Sequence, residues 1–160
     1  MKIIAVDPGY ERVGIAILEK NSGDKKEKVV FSKCFKTNSK LEPSERLKLI
    51  GKEVEEVIKK YDPEFLAIET LFFNTNQKTA MMVSQARGVI LYQSCISGLK
   101  VCELTPLQVK TAVTGYGRSD KKAVIDMIPK LVSIEKEVRL DDEYDAIAIG
   151  ITFFAYNKIT

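Results

Sequence analysis

Short apolar runs alternate with helical patterns along most of the chain. Residues 3–6 are continuously apolar, and further extended apolar segments follow at 14–18 and 29–35, separated by turn-rich or charged stretches. This spacing predicts an antiparallel meander of three strands. From Pro43 to Tyr61, apolar residues recur every three or four positions, which predicts an amphipathic helix. A strand at 65–68 follows, so strand, helix and strand form a crossover unit with parallel pairing.

The second half of the chain continues the alternation. Residues 79–97 predict a helix that is apolar on more than one side, and 101–104 predict a fifth strand. Another helix starts after a cap at 119–120, and Pro129 should kink or end it. A last helix begins in the acidic cluster at 141–145. Together these elements predict an α/β fold, a mixed five-stranded sheet with helices on both faces.

Composition fits one globular domain over residues 1–160. The chain is 45% hydrophobic and 29% charged, and it contains no low-complexity segment. No apolar stretch is long enough to span a membrane, and Met1 leads directly into a strand without a signal-peptide pattern. We therefore expect a cytoplasmic protein with no membrane partner.

Histidine is absent, and this limits the chemistry available to the chain. No Ser-His-Asp triad, histidine-ligated zinc site or imidazole general base can form. The three cysteines, Cys34, Cys95 and Cys102, fit neither a disulfide framework nor a CxxC metal site, so we expect reduced thiols. Acid–base or metal chemistry must come from carboxylates, lysines, hydroxyl groups or water.

Charge is distributed unevenly although the net charge is only +3. Residues 135–145 contain six acidic and two basic side chains, whereas the lysines and arginine between 110 and 130 make the preceding segment mostly basic. A metal-dependent enzyme acting on a phosphate polymer requires an acidic centre beside basic flanks. Two ordinary solvated faces would give the same pattern, and charge alone favours that simpler interpretation.

Carboxylates stand at the ends of three predicted elements. Asp7 and Glu69 each close an apolar strand, and Asp142 and Asp145 lie one turn apart at the start of the last helix. Each position has an ordinary explanation, because Asp-Pro-Gly is a common turn and acids favour helix N-termini. Their recurrence nevertheless indicates a divalent-metal site, with Mg²⁺ as countercharge and phosphodiester hydrolysis as the reaction class.

Five motifs in order span nearly the whole chain. They are Asp7-Pro8-Gly9 with Gly14, Ala67-Ile68-Glu69-Thr70-Leu71-Phe72-Phe73, Gln85-Ala86-Arg87-Gly88, Gly115-Tyr116-Gly117 with Lys121, and Asp142-Glu143-Tyr144-Asp145-Ala146-Ile147-Ala148. In these motifs the chain resembles the RuvC family of bacterial Holliday junction resolvases. The resemblance implies a ribonuclease H-like fold and a homodimer that nicks two strands of a four-way DNA junction symmetrically.

The resemblance also implies roles for individual residues. Asp7, Glu69, Asp142 and Asp145 match four catalytic acids that bind two Mg²⁺ ions, with Mn²⁺ as another possible metal. Phe72 matches an aromatic residue that stacks on junction bases, although a core phenylalanine would fit the same pattern. Lys110 and Lys121 match lysines near the scissile DNA backbone. A RuvA–RuvB branch-migration complex is the implied partner, and this chain has Asn74-Thr75-Asn76 where the family often has a lysine.

Three other functions share parts of this pattern. A ribonuclease H-like nuclease of the type that processes pre-16S ribosomal RNA also has an Asp-x-Gly start and a late aspartate, but it does not explain the 69–73 and 85–88 segments. An actin-like or sugar-kinase-like module needs two such domains. An inactive DNA-architectural protein would leave four convergent acids unexplained.

Overall fold

The computed structural model describes residues 1–71, 77–135, 138 and 140–157. The strands in this part of the chain are β1 (Lys2–Asp7), β2 (Arg12–Glu19), β3 (Lys28–Lys36), β4 (Phe65–Glu69), β5 (Lys100–Leu104) and β6 (Ser133–Ile134). The helices are α1 (Pro43–Tyr61), α2 (Gln77–Ile96), α3 (Pro106–Thr114), α4 (Lys121–Leu131) and α5 (Asp141–Tyr156). Among the described residues, no helix combines the length and apolar character that crossing a bilayer requires.

The strands form one mixed sheet in the order β5-β4-β1-β2-β3-β6. Strands β1, β2 and β3 are antiparallel neighbours, which confirms the predicted meander. Strand β4 pairs in parallel with β1, and β5 pairs in parallel with β4. The predicted crossover through α1 is therefore present, and it places β4 beside the first strand of the chain.

The predicted number of five strands is wrong for the described part of the chain, which contains six. The additional strand, β6, is two residues long and pairs in parallel with β3, with Ser133 opposite Lys28 and Ile134 opposite Val29. Two residues are too few to show the alternation that identifies a strand in a sequence. Its pairing depends on where the chain leaves the end of α4 relative to the edge of the sheet.

Strand β1 is buried on both of its faces. Ile3 and Ala5 belong to the core cluster formed with α3, α4 and α5, whereas Ile4 and Val6 belong to the cluster formed with α1 and α2. All four side chains are fully buried. Burial on two faces explains the uninterrupted apolar run and confirms that helices cover both sides of the sheet.

The ends of the helices follow local chemistry that is visible in the sequence. Helix α1 ends as predicted before Asp62, which adopts a left-handed conformation with φ of 49°. The carboxylate of Asp120 caps α4 by accepting a hydrogen bond from the Ala123 amide at 2.8 Å. Pro129 lies in the last turn of α4, which ends at Leu131. The cap and the proline therefore act as predicted.

Helix α3 was not predicted, although the sequence carries its start signal. Thr105 and Gln108 form a capping box, in which the Gln108 amide donates to Thr105 Oγ1 at 3.2 Å and the Thr105 amide donates to Gln108 Oε1 at 2.8 Å. Pro106 occupies the first turn, where its missing N–H is tolerated. This short helix matters because it carries Lys110.

Candidate active site

The carboxyl ends of β1 and β4 lie side by side at one edge of the sheet. In the parallel register Val6 is opposite Ile68, so the next residue of each strand is an acid, Asp7 or Glu69. Parallel strands in α/β proteins commonly place ligands at this edge. The strand pairing thus brings together two acids that are far apart in the sequence.

Helix α5 brings a third acid to the same place, and Gly14 makes its close approach possible. A Cβ atom at Gly14 would lie 2.0 Å from the main-chain oxygen of Asp142 and 3.3 Å from the Cβ of Asp7. Any larger residue would push the first turn of α5 away from β2. Because that turn lies directly on the sheet, Asp145 reaches the edge at which Asp7 and Glu69 stand.

A cavity of about 330 Å³ joins these groups. Its polar lining comes from Asp7, Glu69, Asp145, Lys110 and Lys121. The two lysines come from α3 and α4, which pack on the same side of the sheet as α5. Five elements therefore contribute one charged side chain each to a single cavity.

The carboxyl group of Asp7 is strongly perturbed by its surroundings. Its pKa is raised from the ordinary 3.8 to about 7, chiefly by burial and then by the charges of Asp145, Glu69 and Asp142. Lys121 acts in the opposite direction. The environment therefore disfavours a negative charge at Asp7 unless positive charge is supplied.

Glu69 shows the same behaviour for the same reasons. Burial is the largest cause, and the charge of Asp145 adds to it, so that its pKa rises from 4.5 to about 7. The Lys110 ammonium lowers the pKa of Glu69 without cancelling the rise. Two neighbouring acids with raised pKa values are typical of a functional site, because structural carboxylates are usually paired instead.

Lys121 bridges the acids of α5. Its Nζ lies 2.9 Å from Asp145 Oδ2 and 3.6 Å from Asp141 Oδ2. The Asp120 cap fixes the start of α4 and therefore the position from which Lys121 extends. Lys121 thus supplies part of the positive charge that the cavity requires.

Asp142 differs from the other three predicted acids. Its carboxylate forms an ion pair with Arg12 at the start of β2, and the Cys34 thiol lies 3.5 Å from the same oxygen, Oδ2. Asp142 does not line the cavity, but its charge contributes to the raised pKa of Asp7. Neither Arg12 nor Cys34 carries a sequence signal that would assign it to the site.

Arg87, in the 85–88 motif, also supports the site. Its Nε donates a hydrogen bond to the main-chain oxygen of Glu69 at 3.1 Å, and its guanidinium forms an ion pair with Glu103 on β5. The side chain is only 16% exposed. Arg87 thereby ties α2 to the end of β4 that carries the Glu69 carboxylate. The motif alone does not reveal this role, because the contact joins two distant segments of the chain.

The chemistry of the donor set fits a divalent cation. Carboxylate oxygens are the ligands that Mg²⁺ prefers, and Asp7 and Glu69 are buried beside other acids, which raises their pKa values and favours a bound cation. As the side chains stand, no group of three Asp, Glu, Cys or His residues among those described is close enough to hold one ion. Like charges repel, so these carboxylates would draw closer only with a cation between them.

The predicted site residues therefore divide into three groups. Asp7, Glu69 and Asp145 share one cavity with Lys110 and Lys121. Asp142 lies beside this cavity, in its ion pair. The predicted base-stacking residue, Phe72, and the 74–76 segment lie outside the described residues.

Comparison with known proteins gives a consistent result. The family model for crossover junction endodeoxyribonuclease RuvC matches residues 3–153. Proteins of that name from Halothermothrix orenii and Alkaliphilus metalliredigens are 46% and 45% identical over 151 residues, which is 94% of this chain and 90% and 91% of theirs. The structure of Thermus thermophilus RuvC in complex with a Holliday junction superimposes with a TM-score of 0.90 at 29% identity, over 98% of this chain and 94% of that one. A match of this extent, together with the arrangement of the acids, shows that the chain belongs to the RuvC family of crossover junction endodeoxyribonucleases.

Proposed function

We propose that this protein is a structure-specific endonuclease that resolves Holliday junctions in DNA recombination and repair. The observation that carries the proposal is the convergence of Asp7, Glu69 and Asp145 from β1, β4 and α5 on one cavity. Family membership supports the same substrate, because the names of the relatives specify the crossover junction. The proposed reaction is metal-dependent hydrolysis of a phosphodiester bond, symmetric in two strands.

The proposed metal ligands are Asp7, Glu69, Asp142 and Asp145, and the proposed cofactor is a pair of Mg²⁺ ions, with Mn²⁺ as another usable metal. When bound, such cations activate a water molecule and stabilise the leaving oxygen of the phosphate. The chain supplies the rigid frame, because β1 and β4 fix two acids through their backbone pairing. Asp142 would have to leave Arg12 to join this set.

Lys110 and Lys121 are the proposed contacts to the scissile strand. The charge of Lys110 acts on Glu69, Lys121 pairs with Asp145, and both lysines line the acidic cavity. Once metal ions satisfy the acids, these lysines are placed to bind phosphate oxygens. Phe72 stays a proposed base-stacking residue on the strength of the family resemblance.

A homodimer is proposed because one acidic centre per chain reaches one of the two strands to be cut. Helix α2 offers a suitable surface. Its large exposed apolar side chains are Met81, Tyr92 and Ile96. Gly88 lies on the same face, and a Cβ there would meet nothing within 4 Å, so a partner helix could approach closely.

Val89 is not part of this surface, contrary to what an apolar position on α2 suggests. A Cβ atom at Gly51 of α1 would lie 3.0 Å from Val89 Cγ1. Val89 is half-buried and lies against α1. Tyr92, which is 67% exposed, is the better position at which to test the interface.

The proposed cellular setting follows from the substrate. Junction DNA in a bacterial cell lies in the cytoplasm, so a cytoplasmic location is proposed. The RuvA–RuvB branch-migration complex is the proposed partner, on the basis of the family resemblance. Co-sedimentation with purified RuvA–RuvB on a four-way junction would test that partnership separately from catalysis.

The central experiment compares synthetic four-way junctions, linear duplex DNA and structured RNA, each with and without Mg²⁺. We expect paired nicks in the junction alone and only with metal. Cleavage of ribosomal RNA precursors would favour the RNA-processing alternative, and junction binding without any cleavage would favour an architectural protein. ATP binding would favour an actin-like or sugar-kinase-like module.

Variants test the assignment of the acids. Asp7→Asn, Glu69→Gln and Asp145→Asn should each abolish cleavage and leave junction binding nearly intact, because the acids serve the metal. Asp126→Asn is a matched control, since Asp126 is an exposed acid on α4 outside the cavity. Near-normal turnover of any of the three variants at the same Mg²⁺ concentration would remove that residue from the site.

A further inference from the structure

Two large apolar side chains stand in solvent beside the acidic cavity. Tyr116, in the loop between α3 and α4, is 60% exposed, and Leu107 on α3 is 62% exposed. Leu107 lies three residues before Lys110, so the two share one face of α3. Pro106 and Lys110 both line the cavity, so Leu107 lies in the same turn of α3 as two residues of the cavity wall.

The loop that carries Tyr116 is held firmly. Thr114 Oγ1 donates to the main-chain oxygen of Tyr116 at 3.0 Å and accepts a hydrogen bond from the Tyr116 amide at 3.2 Å. Ser119 adds two hydrogen bonds to that same oxygen, from its hydroxyl at 2.8 Å and from its amide at 3.1 Å. The left-handed Gly115, with φ of 77°, closes α3 at the start of the loop. The chain thus fixes the backbone of a residue whose side chain makes little contact with the fold.

Leu107 packs against the same loop. A Cβ at Gly117 would lie 2.3 Å from Leu107 Cδ1 and 3.1 Å from Thr111 Oγ1, so only glycine lets the loop lie this close to α3. Leu107 therefore lies next to Gly117, the residue that follows Tyr116. The result is a small rigid apolar ledge, formed by Leu107, Tyr116 and the Gly117 backbone.

The charges around this ledge point to a nucleic acid as its occupant. Arg118 and Lys122 are exposed on either side of Ser119 and Asp120, and neither forms an ion pair with any residue that the structure describes. Lys110 and Lys121 stand on the cavity side. An exposed aromatic ring that is close in the chain to unpaired cations and to two lysines of the proposed active site is suited to binding a nucleotide, by stacking its base and pairing its phosphates.

We propose that Tyr116, supported by Leu107, stacks on a base of the DNA strand that enters the cavity and so sets the register of that strand at the cut. This inference rests on the proposed junction-cleaving function. Because the loop is already ordered, little conformational entropy is lost when the base docks. Tyr116 therefore acts as a positioning and specificity residue, and the acids act on the phosphate.

The test uses Tyr116→Ala with Tyr116→Phe as the conservative variant and Tyr156→Ala as the matched control. Tyr156 is a 52% exposed tyrosine at the far end of α5, eleven residues from Asp145 and so roughly 16 Å along the helix. Each protein is assayed in single turnover on four-way junctions in which every nucleotide flanking the cut is replaced in turn by an abasic residue. A 2-aminopurine at the same positions reports stacking by fluorescence, without added metal.

We expect Tyr116→Ala to reduce cleavage of the intact junction about tenfold, with Tyr116→Phe and Tyr156→Ala close to wild type. At one flanking position, removing the base should lower the cleavage rate of the wild-type protein to the rate of Tyr116→Ala on the intact junction. Removing the same base should not lower the rate of Tyr116→Ala any further. At this position 2-aminopurine should be quenched by the wild type and by Tyr116→Phe only.

Two results would overturn the inference. In the first, Tyr116→Ala cleaves every junction at the same rate as Tyr156→Ala. In the second, the rate reduction caused by Tyr116→Ala adds fully to the rate reduction caused by the abasic residue at every position. In both results a wild-type protein that still resolves junctions shows that the proposed function stands and this inference alone is wrong. A wild-type protein that cuts no four-way junction overturns both. Thermal unfolding of Tyr116→Ala identical to wild type excludes a folding defect as the cause of a loss.

Discussion

Replacing Asp7 by asparagine should stabilise the metal-free protein while removing a proposed metal ligand. The reason lies in the placement of the Asp7 carboxyl at the end of β1, where burial and the charges of Asp145, Glu69 and Asp142 raise its pKa to about 7. Above that pH the folded protein carries a poorly solvated negative charge among like charges. Asparagine has nearly the same shape and carries no charge.

The sign of the effect depends on pH. Between about pH 4 and 7, the folded protein keeps the Asp7 proton and the unfolded chain, with an ordinary pKa of 3.8, loses it. The folded state therefore binds more protons, and the free energy of unfolding falls as pH rises through this window. Below pH 4 the carboxyl is neutral in both states and the effect vanishes.

The magnitude follows from the size of the rise. A change from 3.8 to about 7, at about 1.4 kcal/mol per pH unit, corresponds to roughly 4 kcal/mol above pH 7. The asparagine amide is itself desolvated at this position, so the net gain should be nearer to about 2 kcal/mol. For a chain of 160 residues this raises the melting temperature by roughly 4–8 °C.

The assay is thermal unfolding followed by circular dichroism in EDTA at pH 4 and pH 8, for wild type, Asp7→Asn and the control Asp126→Asn. The difference between wild type and Asp7→Asn should be large at pH 8 and near zero at pH 4, and the control should show no such dependence. Adding Mg²⁺ at pH 8 should stabilise the wild type more than Asp7→Asn. An Asp7→Asn variant that is no more stable than wild type at pH 8, or that is stabilised equally at both pH values, would refute this prediction.

Three further predictions concern a proposed DNA contact, the support of Glu69 and the proposed dimer surface. Lys121→Ala should weaken junction binding in a salt-dependent manner and reduce the steepness of log K against log salt by about 0.9. A salt curve that superimposes on the wild-type curve would show that Lys121 does not contact the DNA backbone. Arg87→Ala should lower the free energy of unfolding by roughly 2 kcal/mol and raise the Mg²⁺ concentration needed for cleavage, because it frees the Glu69 carbonyl. Arg87→Lys should need the same raised Mg²⁺ concentration as Arg87→Ala. A wild-type metal dependence in both variants would contradict a supporting role of Arg87 at Glu69. Tyr92→Glu should give folded monomers in sedimentation that lose paired incision, whereas Tyr156→Glu should not; a monomeric wild type with full resolvase activity would refute the dimer.

Local signals in the sequence determined most of the elements. The apolar run of β1 and the helical spacing of α1 report burial directly, because each period matches one backbone geometry. Turn and cap residues such as Pro8 and Asp120 mark where elements begin and end. The ends of the apolar runs likewise place Asp7 and Glu69 at the ends of strands. The two acids lie side by side because their strands, β1 and β4, are neighbours in the sheet.

Contacts between distant segments were decided by tertiary structure alone. Asp142 was expected with the other acids, yet its partner is Arg12, 130 residues earlier in the chain, because Gly14 lets α5 lie directly on β2. The hydrogen bond from Arg87 to the Glu69 carbonyl depends in the same way on how α2 packs against β4.

Residue type and position at element ends thus indicate the candidates for the chemistry, whereas the packing of distant elements sets their arrangement around the site. Periodicity predicts burial on one element, but it holds no information on which side of α2 faces α1, and so Val89 proved to be packed and Tyr92 exposed. The raised pKa values of Asp7 and Glu69 arise from burial and from charges on other elements, which exist together only in the folded chain.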